Sequence, residues 1–358
     1  VGMVATGMIG CDLGLASCTC CQAGFGKSGA RFIVSTIFAV NMIGWFGIQN
    51  GVCGEAFSNA MLAMTGWDIP VVVSNTIWGI IMLLTAVYGV HALEKLDKIS
   101  IPLLMIIMCY GTFLAFKVYG TGNLNDEGTV QSMSFMSGVA LSFNFTAVGT
   151  ITGPDYTRFQ KSRKDTVKSV FYGVFPMGVI TLIMGIVLTK LSGQYDISMV
   201  LIEVGLPLLG IIALVISTWT TNSTNAYSAG LNIVMALKLK DNRRREATLI
   251  SGIVGIVLCD LGILGHVEGV LSLLSYVVCP VGGVILADYW VVGKGKAKNF
   301  RPQDGVNWAG VIAWALGAII SYTLVKIEFV GIIIGFVIYL IAERFIPSAS
   351  RDNAENIA

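Results

Sequence analysis

Long apolar runs, separated by short polar or charged links, recur along almost the whole chain. A helix of about 20 residues crosses a ~30 Å hydrocarbon core, and runs of roughly that length predict membrane-spanning helices. Eleven such runs are present, at residues 1–16, 32–57, 69–90, 99–118, 133–152, 167–191, 204–237, 247–264, 267–292, 306–325 and 329–341. The run 204–237 is too long for one straight span and predicts a short interfacial turn followed by a tilted helix that starts at Pro207. The last run is short, but 342–346 with Arg344 can carry it into the headgroups. The chain opens on Val1 inside an apolar run with no charged flank, so a fragment lacking its first membrane helix is expected.

Charge sharpens this picture. When successive links are assigned to alternate sides, 20 of the 23 Lys and Arg residues fall on one side, leaving Lys117, Lys190 and Lys326 on the other. The positive-inside rule makes the basic side cytoplasmic, which places the C-terminus in the cytoplasm and directs the first run inward. An intact chain with both ends inside then has about twelve helices, the number expected for two inverted five-helix repeats plus two more. Composition agrees: 55% of residues are hydrophobic and 12% charged, against about 25% charged in a soluble domain. An all-α, multi-pass protein of the plasma membrane is expected, with the lipid bilayer as its solvent. The net charge of +2 gives no reason to expect nucleic acid. Cys18, Cys20 and Cys21 cluster, but His91 and His266 do not supply a second ligand pair at metal-site spacing, and no cofactor is expected.

Polar side chains inside a span are costly and tend to mark pathways. Asn41, Trp45 and Gln49 fall at i, i+4, i+8, on one stripe of a helix. Stacking on the indole with amides at the ring edge suits a flat hydrogen-bonding ring; interhelical bonding by the same amides fits the spacing equally well. Ser142 to Thr150 has poor helix propensity, which predicts a discontinuous helix at mid-membrane, with close packing by small residues as the alternative. In Ser217-Thr-Trp-Thr-Thr-Asn-Ser-Thr-Asn225, eight of nine side chains carry a hydroxyl or an amide. Ser217, Thr220 and Thr221 share a face and offer oxygen ligands for weakly bound Na⁺, or else bond back to their own helix.

The motifs Gln22-Ala-Gly-Phe-Gly-Lys-Ser-Gly29, Gly44-Trp-Phe-Gly47, Pro154-Asp-Tyr-Thr-Arg-Phe159, Trp219-Thr-Thr-Asn222 and Pro280-Val-Gly-Gly-Val-Ile-Leu-Ala-Asp-Tyr-Trp290 resemble, in order, those of the nucleobase:cation symporter-1 family, most closely its cytosine permease branch. The resemblance covers essentially the whole chain. It implies the inverted five-plus-five helix transporter fold plus two helices: the rest of the first repeat over 1–118, the second repeat over 133–292 and the extra helices over 306–346. It also implies a monomer that imports a nucleobase, cytosine first, by alternating access with Na⁺ or H⁺. Matched residue by residue, Trp45 and Phe145 sandwich the substrate ring, and Ser217, Thr220 and Thr221 hold the cation; Gln49, Asn41, Asn144 and Asn222 are the candidates for further substrate contacts.

Asn144 stands where the cytosine branch has Ser, Gln49 matches a substrate-binding Gln of the hydantoin branch, and Met42 replaces a ring-reading Gln. Allantoin, hydantoin, purine and hydroxymethylpyrimidine therefore stay beside cytosine as substrates to test. Asp155 with Arg158 at i+3 reads as a local ion pair or gate element at a helix end, and Asp12 and Asp260 as helix-end acids, with a proton relay as the alternative. A membrane enzyme would need a nucleophile or an acid–base constellation, and a channel would need filter rings; neither pattern is found in the sequence.

Overall fold

The computed structural model describes residues 1–88, 90–125, 134–194 and 196–346. Met133, at the start of the fifth expected span, and Arg351 of the basic side lie outside them. Helices run through all eleven apolar stretches: α1 Gly2–Leu13, α2 Gln22–Thr65, α3 Val71–Tyr88, α4 Val90–Tyr119, α5 Phe135–Ile151, α6 Arg163–Ser192, α7 Pro207–Ala236, α8 Arg244–Asp260, α9 Ile263–Val292, α10 Trp308–Val325 and α11 Val330–Phe345. Among the described residues six helices rather than eleven are both long and apolar enough to cross a membrane on their own: α2, α3, α4 from Lys95, α6, α9 and α10. The others fall short for identifiable reasons. Four of them have at most 17 residues, and the hydroxyl and amide run dilutes the apolar character of α7. The turn expected before Pro207 is present at residues 204–206, with Gly205 at φ +85°, between the short helix Ile197–Glu203 and α7, and Pro207 occupies the first turn of α7, where its missing N–H costs nothing.

Three buried clusters hold the bundle together. Ile9, Phe25, Phe38, Ile151, Val278 and Tyr339 join α1, α2, α5, α9 and α11. Phe46, Met82, Leu83, Ala226 and Ile256 join α2 to α3, α7 and α8. Ile107, Leu188 and Leu201 join α4 and α6 to the helix before α7. Outside these clusters large apolar side chains are exposed in quantity, Leu182, Ile186, Ile250 and Ile333 among them. A water-soluble surface does not carry such a belt, whereas a lipid-facing one does.

Two glycines of the sequence motifs stand where backbones meet. Gly26 has φ +77°, and a Cβ there would lie 2.5 Å from the Gly305 carbonyl. This kink frees the N–H groups of Lys27 and Ser28, which donate to the carbonyls of Gln303 and Gly305 at 2.7 and 2.8 Å. At Gly283 of α9 a Cβ would lie 2.2 Å from the Ile332 carbonyl, so α11 packs directly on the α9 backbone. The Tyr339 hydroxyl donates to Asp288 at 2.8 Å across the same pair of helices.

α5 differs from expectation. It is a continuous helix through Ser142 to Thr150, and the chain breaks only at Thr152, before the short helix Gly153–Thr157. Where water is scarce, keeping i→i−4 bonds intact outweighs the weak propensity of Ser, Thr, Asn and Gly. Thr146 bonds back to the Phe143 carbonyl at 3.0 Å without opening the helix.

Candidate functional site

α2 lies between two of the buried clusters, and neighbouring residues of its polar stretch divide between them. Phe46 is fully buried in the cluster shared with α3, α7 and α8. Trp45, rotated about 100° away, packs at the edge of the cluster shared with α5 and α9. Its indole meets Phe145 of α5, with ring centroids 5.6 Å apart and planes tilted by 56°. The Phe145 ring is 57% exposed, so one side of the pair is open. Gln49, one turn further along α2, is half-buried. Asn41, one turn before Trp45, is buried; its amide donates to the Ile37 carbonyl at 3.2 Å and its Oδ1 is buried without a partner.

Asn144, next to Phe145, is 2% exposed. Its Nδ2 lies 3.1 Å from Glu328 Oε1 and 3.4 Å from Ser272 Oγ. Glu328 sits in the four-residue link between α10 and α11, a place passed over when the spans alone are inspected. The signal available in the sequence was the shortness of that link: four residues cannot carry an acid far from the apolar ends they join.

On α7 the polar run divides into two sets. Ser217 and Thr220 donate to carbonyls of their own helix, Leu214 at 3.0 Å and Ser217 at 3.1 Å. Thr221 is exposed. The other set ties helices together. Trp219 Nε1 donates to Thr85 at 2.9 Å, Ser223 to the Met82 carbonyl at 3.0 Å, and Asn222 Nδ2 to the Phe46 carbonyl at 3.1 Å. Asn222 is fully buried and receives the Asn225 amide at 3.4 Å. The structure thus brings Trp45 and Phe145 together, with Gln49 on the same stripe, while Asn222 is engaged with the backbone behind Phe46.

Acidic residues at the helix ends are occupied. Asp12 accepts from Arg163 at 2.5–2.9 Å and from the Tyr289 hydroxyl, joining α1, α6 and α9. Asp260 accepts from Asn75 at 3.2 Å. The expected Asp155–Arg158 ion pair does not form. Asp155 instead accepts the Ser17 N–H at 2.8 Å, at the start of the helix Ser17–Cys20, where the helix dipole favours an anion. The Arg158 guanidinium lies 4.7 Å over the Phe159 ring. Burial is the main cause that raises the Asp155 carboxyl above its ordinary 3.8, opposed by the Ser17 hydrogen bond. Burial likewise pushes the Cys18 and Cys20 thiols up to about 12. Cys18 contacts the Ser35 hydroxyl at 2.8 Å and Cys21 donates to the Ser17 carbonyl, as structural thiols do. Among the described residues no group of three His, Cys, Asp or Glu converges as a metal site.

The family model for permeases for cytosine/purines, uracil, thiamine and allantoin matches residues 1–343. The chain belongs to this family. It is 31% identical to the cytosine permease of Escherichia coli K12 over 335 residues, covering 92% of this chain and 76% of that one. It is 25% identical to the allantoin permease of Bacillus subtilis, over 97% of this chain and 81% of that one. Among solved structures, the nucleobase-cation-symport-1 family transporter MHP1 in a closed conformation with bromovinylhydantoin bound superposes with a TM-score of 0.76 at 18% identity, over 96% of this chain and 82% of that chain. Its inward-facing conformation gives 0.77 at 19% identity. The permease is therefore a multi-pass, all-α membrane transporter with the fold of MHP1.

Proposed function

We propose that this permease is a secondary active transporter that imports a nucleobase, cytosine in the first instance, by alternating access coupled to Na⁺. The observation that carries the reading is the Trp45–Phe145 ring pair, held by α2 and α5 with centroids 5.6 Å apart and with Phe145 exposed. Two aromatic rings held by different helices can close on the faces of a flat heterocycle, and amides at Gln49, Asn41 and Asn144 can read its edge. Coupling through Ser217, Thr220 and Thr221 fits the hydroxyl geometry of α7. A hydroxyl that gives its proton to a helical carbonyl, as Ser217 and Thr220 do, keeps its lone pairs for a cation.

The arrangement fits two inverted repeats, 1–118 and 133–292, with 306–346 as two added helices and no second subunit required. The basic side faces the cytoplasm in this reading, as does the C-terminus, and the protein sits in the plasma membrane. The test is uptake of labelled cytosine into proteoliposomes, with allantoin, hydantoin and purines as competitors. Saturable uptake that follows an imposed Na⁺ gradient is expected. Uptake that neither saturates nor follows any cation gradient overturns the reading.

A further inference from the structure

Glu328 presents a problem that the substrate site does not solve. The residue is 5% exposed. Its Oε1 accepts from Asn144, and its Oε2 is buried with no partner. Among the described residues the ion pairs are Lys27–Asp304, Arg163–Asp12 and Arg243–Glu246, none of which involves Glu328. Lys326, two positions earlier, is exposed, with a left-handed backbone at φ 55°. The titratable side chains of α9 near enough to feel the charge of the carboxyl are Tyr276 and Cys279, with Tyr322 of α10 against the Tyr276 ring at 5.4 Å. None of them is a cation. A buried carboxylate held by a single amide is costly without a compensating charge.

A second orphan lies beside it. Asn144 Oδ1 is also buried and partnerless. The two ends of an amide exchange places by a half-turn of the side chain. With that turn, Oδ1 takes the position of Nδ2, 3.1 Å from Glu328 Oε1 and 3.4 Å from Ser272 Oγ. Ligands at about 2.4 Å, the range of Ca²⁺ and of the similarly sized Na⁺, lie roughly 3.4 Å apart when they subtend a right angle at the ion. One carboxylate, one amide oxygen and one hydroxyl at this spacing form a hard-donor set of charge −1. That charge balances a monovalent ion; a divalent one calls for more carboxylates.

We propose that Asn144, Ser272 and Glu328 form a Na⁺ site, separate from the α7 hydroxyls, that joins α5 to α9 and to the α10–α11 link. Half-buried Ser272 leaves room on its side for water to complete the shell. The ion takes the Asn144 oxygen together with Glu328 Oε1 and fixes the Asn144 amide with its oxygen toward the link. Because Phe145 follows Asn144 directly, the same ion holds the segment of α5 that carries the substrate ring; this last link rests on the transport reading, whereas the site itself does not.

The test is binding of radioactive Na⁺ to the purified permease, without nucleobase, and thermal unfolding in NaCl against choline chloride at constant ionic strength. Wild type is compared with Glu328→Gln, Ser272→Ala and Thr221→Ala. Glu328→Gln is expected to weaken Na⁺ binding at this site at least tenfold, and Ser272→Ala by about three- to tenfold, both in the wild-type and in the Thr221→Ala background. If Glu328→Gln does not fold, Ser272→Ala, which removes one oxygen from a half-buried serine, decides the matter. Unchanged Na⁺ binding in both variants overturns the site, as does a wild type that binds no Na⁺. A Glu328→Gln variant that loses a pH response and keeps its Na⁺ response assigns the carboxyl to a proton instead and also overturns it. Na⁺ binding with this pattern, in a protein that binds no nucleobase, would leave the site standing while refuting the proposed substrate.

Discussion

Asn222 separates a helix tie from a substrate contact. The residue is fully buried, donates to the Phe46 carbonyl at 3.1 Å, approaches the Met82 sulfur at 3.5 Å and accepts from Asn225 at 3.4 Å. Asn222→Ala removes the interhelical bond between α7 and α2, leaves the Asn225 amide without this acceptor and opens a small void against Met82. Interhelical hydrogen bonds inside membranes are worth about 0.6 kcal/mol on average and up to about 1.7. With the void added, the expected loss is about 1–2 kcal/mol, a factor of about 5–30 in the folded-to-unfolded ratio. Substrate affinity of the folded fraction should change less than threefold. Unfolding in mixed detergent gives the first quantity and equilibrium binding of labelled cytosine the second. An affinity loss beyond tenfold with an unchanged unfolding midpoint would refute the reasoning and put Asn222 in the substrate site.

Trp45→Ala should weaken nucleobase binding by about 1–3 kcal/mol, the worth of base–aromatic stacking, and Trp45→Phe by less; equal losses measured by calorimetry would argue against a stack. Thr221→Ala should reduce the rise of cytosine affinity with Na⁺ more than it reduces affinity at saturating Na⁺, because linkage between two ligands is reciprocal; the readout is affinity across a Na⁺ series at fixed pH, and an unaltered slope rejects this oxygen as a ligand. Burial raises Asp155 above 3.8, so its favourable contribution is complete below the unfolded-state value and is lost as pH rises through the folded-state one. Asp155→Asn, which can still accept the Ser17 N–H, should flatten that part of the stability profile from about pH 4 upward and be no less stable than wild type at pH 7; thermal unfolding across pH checks it.

The helices were legible because a membrane forces apolar length onto the sequence, and each run from 1–16 to 329–341 contains one. The partition of polar residues was not. Asn41, Trp45 and Gln49 share a stripe by spacing alone, but nothing in that spacing says that Asn41 turns to its own helix while Trp45 reaches Phe145. Propensity misjudged Ser142 to Thr150, because a lipid environment penalises broken backbone bonds more than it penalises poor helix formers. Proximity in sequence misjudged Asp155, whose partner is the start of a helix 138 positions away rather than Arg158 three positions on. Glu328 escaped for the opposite reason: its neighbours in the chain are linkers, and its partner Asn144 is brought to it only by tertiary packing.

The clasp between Lys27 and Ser28 and the loop at Gln303 and Gly305 fixes one end of α2 to the segment leading into α10. Between the clasp and Trp45 the helix contains a single π-turn, Ala30–Val34, a type of local widening at which helices bend. Trp45 lies eleven positions beyond Val34, a rod of about 16 Å at 1.5 Å per residue. Bending the π-turn by about 10° would swing the indole by roughly 3 Å, enough to part it from Phe145 or press it onto a ring between them. α2 is in this sense a lever, pivoted beside its tether, and its throw matches the thickness of one aromatic contact.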